Sequence, residues 1–321
     1  MTMDLSKRAM LVKSRIELRG LLGERRDQGA TQHVEQQYNV AERRAKVGKF
    51  LIAQNVKSVK AVRASAQAIR QCVYQHTFAW LDTDMRLLPS KNHDTFRTEH
   101  DLAVAKHLAN IESYINDYPY LVEDARHPAP RGLGELFDPS QYPPAENIKG
   151  LFKSSLEYWP MPTTNNFVAD IAQEAAAEAK AGMERKVREI ISHSFNDLVA
   201  RSEQVVAHFV TKLAEYKPAG YPAGYRDKPE GIFRDSLVDN MTDLAKLIRN
   251  LNFTDDIDIE QMAVNLERLA RYTPEQLRQA HYQDERDLVG AEGKLLLTKL
   301  DQMKKVDHEI TTIMDSAKDY I

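Results

Sequence analysis

Between Thr164 and Tyr216 the chain contains no proline, and apolar or small side chains recur at alternating three- and four-residue steps. Val187, Ile190, Ser194, Leu198, Ser202, Val205, Phe209, Leu213 and Tyr216 fall on one stripe, continued backwards by Met183, Ala179, Ala175, Ile171 and Val168. That period is a helix with a single buried face. At 1.5 Å per residue it would extend on the order of 75 Å, so the expected fold is mainly α, an elongated helical protein with a long central helix at about 164–216. Asn165 and Asn166 are suitable caps for its start, and Ser194 and Ser202 in the stripe point to close, partly polar packing instead of a leucine zipper.

The same period predicts further helices. Residues 4–27 carry Leu11, Ile16, Leu18, Leu21 and Leu22. From about Val40 to His76 the inward face is Val59, Val62, Ala66, Ile69, Val73 and His76. Thr95 to Asp117 would bury Leu102, Ala105, Leu108, Ile111 and Ile115, with a stop at Tyr118-Pro119. Ile232–Leu251 is amphipathic through Phe233, Leu237, Met241, Leu244 and Ile248, and Ile259, Met262, Leu266 and Leu269 mark the next helix. Thr273-Pro274-Glu275-Gln276 reads as a capping box with proline at the first helical position. A last helix from Leu288 places Leu295, Leu296, Leu300, Met303, Val306, Ile310 and Met314 on one side.

One run has the other period. Phe152, Ser154, Leu156 and Tyr158 alternate with their neighbours, which allows at most a small β element near 150–159. No second strand is evident, which leaves pairing between chains or an irregular extended segment. The run lies in a region holding seven of the 13 prolines, between His127 and Pro162. The expected organisation is therefore a basic helical region at 1–126, a proline-rich connector at 127–163 and a helical region at 164–321.

Charge changes this picture more than composition does. The formal net charge is -3, but residues 1–80 hold 15 Lys and Arg against 6 Asp and Glu, or +9, and the rest carries 29 against 41, or -12. A basic arm attracts a polyanion or docks on an acidic protein surface. On the helix expected at 40–76, Lys46, Lys49, Lys57, Lys60, Arg63 and Arg70 share a broad arc, the candidate nucleic-acid-binding residues; phosphate contact needs flexible cations on a rigid rod, and a solvated face has the same look. Aromatic interleaving is sparse there: Phe50, Tyr74, Phe78 and Trp80 read as core anchors.

Enzyme chemistry finds no signature. A single cysteine, Cys72, excludes a disulfide framework and a multi-thiolate metal site, and reads as a buried core thiol. Asp255, Asp256, Asp258 and Glu260 sit where a helix begins, so capping explains them. His100 and His107 are two turns apart, too far to share an ion without further ligands. No nucleophile elbow, P-loop or dinucleotide fingerprint occurs, and no cofactor or metal is expected. No stretch approaches the roughly 20 apolar residues of a membrane span, and MTMDLSKRAM has no apolar block before a cleavage site, so a cytoplasmic protein without membrane contact is expected.

Several punctuating motifs occur together: Arg86-Leu87-Leu88-Pro89, Tyr118-Pro119, Tyr142-Pro143 followed by Ile148 and Phe152, Pro160-Met161-Pro162, Phe233-Arg234-Asp235-Ser236-Leu237-Val238, and Leu251-Asn252-Phe253-Thr254-Asp255-Asp256. In this order, over about residues 60–270, they resemble a family of uncharacterised bacteriophage and prophage proteins. Thr77-Phe78-Ala79-Trp80 departs from that family, whose members tend to carry proline before the tryptophan. The resemblance implies a viral origin and action in the bacterial cytoplasm, and it transfers no catalytic residue because the family has none assigned.

The function expected on these grounds leans away from catalysis: a phage protein that self-associates through long helices and acts by binding a macromolecular partner. Val187, Ile190, Leu198, Val205, Phe209, Leu300, Met303 and Ile310 are the candidate oligomer interface, in coiled-coil fashion. One alternative is a DNA- or RNA-binding protein of phage DNA metabolism that uses the basic N-terminal helix. The other is an inhibitor or recruiter of a host protein.

Overall fold

The computed structural model describes residues 5–18, 22–81, 83–162, 173–220 and 228–305. Its elements, in order, are β1 (Ala9–Leu18), β2 (Glu24–Arg26), α1 (Gln28–Gln37), β3 (Gly48–Phe50), α2 (Lys57–His76), β4 (Phe78–Ala79), β5 (Arg86–Pro89), α3 (His93–Arg126), α4 (Ala145–Ile148), β6 (Phe152–Trp159), α5 (Gln173–Glu215), α6 (Ser236–Leu251), α7 (Ile257–Leu269), α8 (Pro274–Arg278) and α9 (Gln283–Lys305). Among the described residues the protein is mainly α, 66% helical, with a small four-stranded antiparallel sheet in the order β4-β5-β1-β6 and a two-stranded ribbon of β2 and β3.

The sheets correct two expectations. Residues 4–27 do not form a helix. Lys13, Arg15 and Glu17 alternate with Ser14, Ile16 and Leu18 in a strand whose first half buries Ala9, Leu11 and Val12. Leu11 and Val12 point to opposite faces and are both buried, and that mixture imitated a helical stripe. β5 supplies one edge, with Leu11 opposite Leu87 and Ala9 opposite Pro89, and β4 extends the sheet with Phe78 opposite Leu87. The alternating run at 150–159 is β6, so it is one of several strands and its neighbour lies in the same chain.

The chain divides into two compact units, neither continuous in sequence. The first comprises Met1–Val12, His76–His93 and Tyr158–Ile321, and the second Lys13–Gln75 and Asp94–Glu157. Most of the proline-rich stretch is therefore not a connector but part of the second unit. There the Tyr142 hydroxyl donates to the Leu51 carbonyl at 2.8 Å, the Tyr118 hydroxyl donates to the Pro143 carbonyl at 2.9 Å, and Ile148 is fully buried. α3 continues through Pro119, where a stop was expected. Proline removes one amide donor, but Ile111, Tyr114, Tyr118, Leu121 and Ala125 form a buried stripe on both sides of it, and this packing outweighs the missing bond. That stripe also includes His100 and His107, whereas Leu102 and Leu108 are exposed, so the inward face is rotated from the one that hydropathy suggested.

In the first unit α5 packs against α6, α7 and α9. Residues 164–172 of the expected helix lie outside the described residues; α5 itself runs from Gln173. Ile190, Leu198, Phe209 and Leu300 are buried in this unit's core, with Val187, Val205 and Met303 packed against it. Ile190, Leu198, Phe209 and Leu300 are covered by their own chain and Val187, Val205 and Met303 are half-buried against it; Ile310 lies outside the described residues. The Ser194 and Ser202 hydroxyls donate back to the carbonyls of Ile190 and Leu198 at 2.8 and 2.9 Å, which satisfies both inside the core.

The stripe of α9 is Val289, Gly293, Leu296, Leu300 and Met303, a four-three alternation that leaves Leu295 exposed. Gly293 faces Val210 of α5 so closely that a Cβ there would strike the valine methyl, and Gly290 faces Leu213. Val306 and Met314 lie outside the described residues. α6 begins at Ser236, after an exposed Ile232. Asp256 caps α7, accepting from the amides of Asp258 and Ile259 at 2.8 and 3.2 Å, and Thr273 and Gln276 form the expected capping box.

Two substitutions test these cores. Gly293→Ala should lower stability by about 1 kcal/mol in denaturant titration, because overpacking costs about 1–3 kcal/mol while alanine returns about 1 kcal/mol of helix propensity. Tyr114 is fully buried and its hydroxyl has no protein partner among the described residues. Tyr114→Phe is therefore expected to leave stability unchanged or raise it, whereas a loss above about 1 kcal/mol would show that the hydroxyl is satisfied.

Candidate nucleic-acid interface

The basic part of the second unit is built around one inward-facing lysine. In the β2–β3 ribbon Glu24 lies opposite Phe50, Arg25 opposite Lys49 and Arg26 opposite Gly48. Opposed residues share a face and neighbours alternate, so Glu24, Arg26, Gly48 and Phe50 are on one side and Lys49 on the other. Lys49 is buried, its ammonium 2.7 Å from an Asp27 carboxylate oxygen and donating to the Leu136 carbonyl at 2.6 Å. Asp27 is also the N-cap of α1, accepting from the Ala30 amide at 2.9 Å. That amide bond and the Lys49 ammonium hold its carboxyl below the usual range.

The loop between α1 and β3 is tied to α1 by the Val47 amide, which donates to the Thr31 hydroxyl at 3.1 Å, and by the Asp27 amide, which donates to the Val47 carbonyl at 2.9 Å. Arg43, Arg44 and Lys46 are exposed on this loop, with Glu42 3.7 Å from Arg43. α2 then opens with Lys57 and Lys60 exposed, while Val59, Val62, Ala66, Ile69 and Val73 are buried as the period predicts.

The six cations expected on one helical arc thus separate into two groups. Lys46 and Lys49 precede α2, on a loop and a strand, because α2 starts at Lys57 and not near Val40. Lys49, Arg63 and Arg70 are engaged structurally: Arg63 donates to the Leu22 carbonyl, and Arg70 donates to the Ile16 carbonyl at 3.4 Å. Lys46, Lys57 and Lys60 remain exposed. Among the described residues no carboxylate lies within salt-bridge distance of them, nor of the exposed Arg26 and Arg44.

Two of the four supposed aromatic anchors are on the surface. Phe78 and Trp80 are buried, but Phe50 is 44% exposed and Tyr74 57%, and Tyr38 at the end of α1 is 68% exposed. The signal for Phe50 was present in the sequence: it follows Lys49 directly, and once the lysine turns inward the phenylalanine must turn out.

Other candidate chemistry resolves into structure. Burial, then Glu99, pushes the Cys72 thiol up to about 11, so it stays a protonated thiol at neutral pH. His107 is buried with Nδ1 2.8 Å from the Ser65 hydroxyl, and burial pushes both it and His100 down, toward the neutral form. Of the acidic cluster, Asp255 pairs with Arg8 and Lys91, Asp256 caps α7, and Glu260 lies 2.8 Å from Arg249. A groove of about 340 Å³ between α7 and α9, lined by Met262, Leu296, Leu300 and Met303 with Asp258 and Lys299, brings no acid–base pair or nucleophile together. No helix among the described residues is long and apolar enough to cross a membrane.

Comparison with protein-family models, with curated proteins and with solved structures finds no match. The functional reading therefore rests on the chain's own geometry.

Asp27→Asn keeps an N-cap but removes the charge opposite Lys49. It should cost about 2 kcal/mol at neutral pH, the range of a charged hydrogen bond, because the Leu136 carbonyl still holds the ammonium. The folded carboxyl is depressed, so its contribution is complete above the unfolded value of about 3.9 and is lost as pH falls through the folded one. Stability curves of the two proteins should converge in that acid range; a constant gap across pH would remove the charge from the explanation.

Proposed function

We propose that the protein is a non-catalytic nucleic-acid-binding protein that holds phosphate backbones on its second unit through Lys46, Lys57 and Lys60, with Arg26 and Arg44 from the same stretch. The observation that supports this reading is a set of exposed cations with no carboxylate within salt-bridge distance among the described residues. Residues 22–63 hold nine Lys and Arg against four Asp and Glu, and Asp27 is already engaged by the buried Lys49, so the surface excess is large for so short a segment. Phosphate contact asks for this and for no base-reading residue. A bacteriophage origin and action in the bacterial cytoplasm belong to the proposal on the strength of the motif resemblance. Self-association would need a surface other than the α5–α9 seam, whose apolar residues their own chain covers.

The test is a charge reversal that spares the structural cations. Lys46→Glu, Lys57→Glu and Lys60→Glu combined should abolish binding to a labelled oligonucleotide at physiological salt and leave the melting temperature close to wild type, since all three side chains are exposed. Each single alanine variant should make the slope of log affinity against log salt shallower by about 0.7–0.9, the value of one neutralised phosphate. A triple variant that binds like wild type would reject the site.

A further inference from the structure

We infer that the nucleic acid held by the second unit is single-stranded, with the outward face of the β2–β3 ribbon as a stacking platform and Phe50 as the ring on which a base lies. This rests on the phosphate-binding reading and adds the form of the ligand to it. The ribbon's register places Phe50 and Arg26 on the same face, since the pairs Glu24–Phe50 and Arg26–Gly48 both alternate with Arg25–Lys49. The buried Lys49, anchored by Asp27 and Leu136, fixes which face that is: with the ammonium held inside, Phe50 points away from the unit's core. Phe50 is 44% exposed, a large apolar ring in the most basic segment of the chain.

A duplex offers no base face to an exposed ring. A single strand presents both partners at once, phosphates for the cations and a π-face for the ring, and stacking tolerates any base. Gly48 contributes to the platform. A Cβ at that position would strike the Glu24 carboxylate, so the glycine lets the Glu24 side chain lie flat across the ribbon. Glu24 is the acid on this face; it can accept from an exocyclic amine of a stacked base but adds nothing to phosphate affinity. The phosphates are thus left to the exposed cations that precede and follow β3 in the chain, Lys46 in the loop before it and Lys57 and Lys60 on α2.

The experiment compares an oligothymidine strand of about 20 nucleotides with a duplex of the same length, using the full chain. Wild type is expected to favour the strand. Phe50→Leu keeps an apolar side chain of similar reach but removes the π-face; it should weaken strand binding about tenfold, leave duplex binding as it was, and leave the salt slope unchanged. Phe50→Trp should restore or exceed wild-type affinity for the strand. If Phe50→Leu binds the strand as wild type does, or weakens strand and duplex equally, the stacking platform is overturned. The outcome remains separable from the phosphate reading, because reversal of Lys46, Lys57 and Lys60 would still abolish binding in that case. If the reversal has no effect, the phosphate reading fails and the platform fails with it.

Discussion

The arrangement of the second unit depends on one ammonium group out of water. A lysine that is 6% exposed is tolerated only with hydrogen-bonded, oppositely charged company, and Lys49 has both in Asp27 and the Leu136 carbonyl. Those two partners come from the start of α1 and from the proline-rich segment. One charge therefore ties together the ribbon, a helix terminus and a stretch that composition alone would assign to a linker. Asp27 is suited to this because its second oxygen also caps α1, so its carboxylate is held in place before the lysine is counted. The register of the ribbon follows, and with it the choice of residues that face the solvent.

The first unit is governed by a different constraint, close approach of helices. Gly293 on α9 brings its backbone against Val210 of α5, and the serine hydroxyls on α5 bond back to their own helix, Ser202 also reaching the Met262 sulfur of α7 at 2.9 Å. A seam made this way is narrow and shape-dependent, which accounts for serines and glycines where a leucine repeat would otherwise stand. Ile190, Leu198, Phe209 and Leu300, which looked like an oligomer interface from their spacing, are buried in this unit's own core.

Helix spacing was legible where a stripe consisted of aliphatic residues on one face. α2, α6 and α7 bury Val59, Val62, Ala66, Met241, Ile248, Ile259 and Leu266 as their period requires. It failed where burial did not follow hydropathy: His100 and His107 face inward on α3 while Leu102 and Leu108 face out, and Gly293 takes the place in α9 that Leu295 seemed to claim. β1 was hidden because the adjacent Leu11 and Val12, on opposite faces, are both buried, and β2 and β3 because three residues are too few to show a period. For the candidate site, the excess of positive charge in residues 1–80 could be read from the chain. Which of the six expected cations stay exposed could not, since whether a lysine meets solvent or an aspartate is decided by chain segments far away in sequence, as with Lys49 and Leu136.

On the proposed reading, a local set of exposed cations lets a negatively charged protein hold a polyanion. The chain carries -3 in total, and residues 81–321 carry -12, so at long range it repels nucleic acid. At physiological ionic strength the Debye length is about 8 Å, and charges beyond it are largely screened. On the proposed reading a strand meets mainly the local surface of residues 22–63, and the contribution of a stacked ring, which salt does not screen, keeps affinity from resting on phosphate contacts alone.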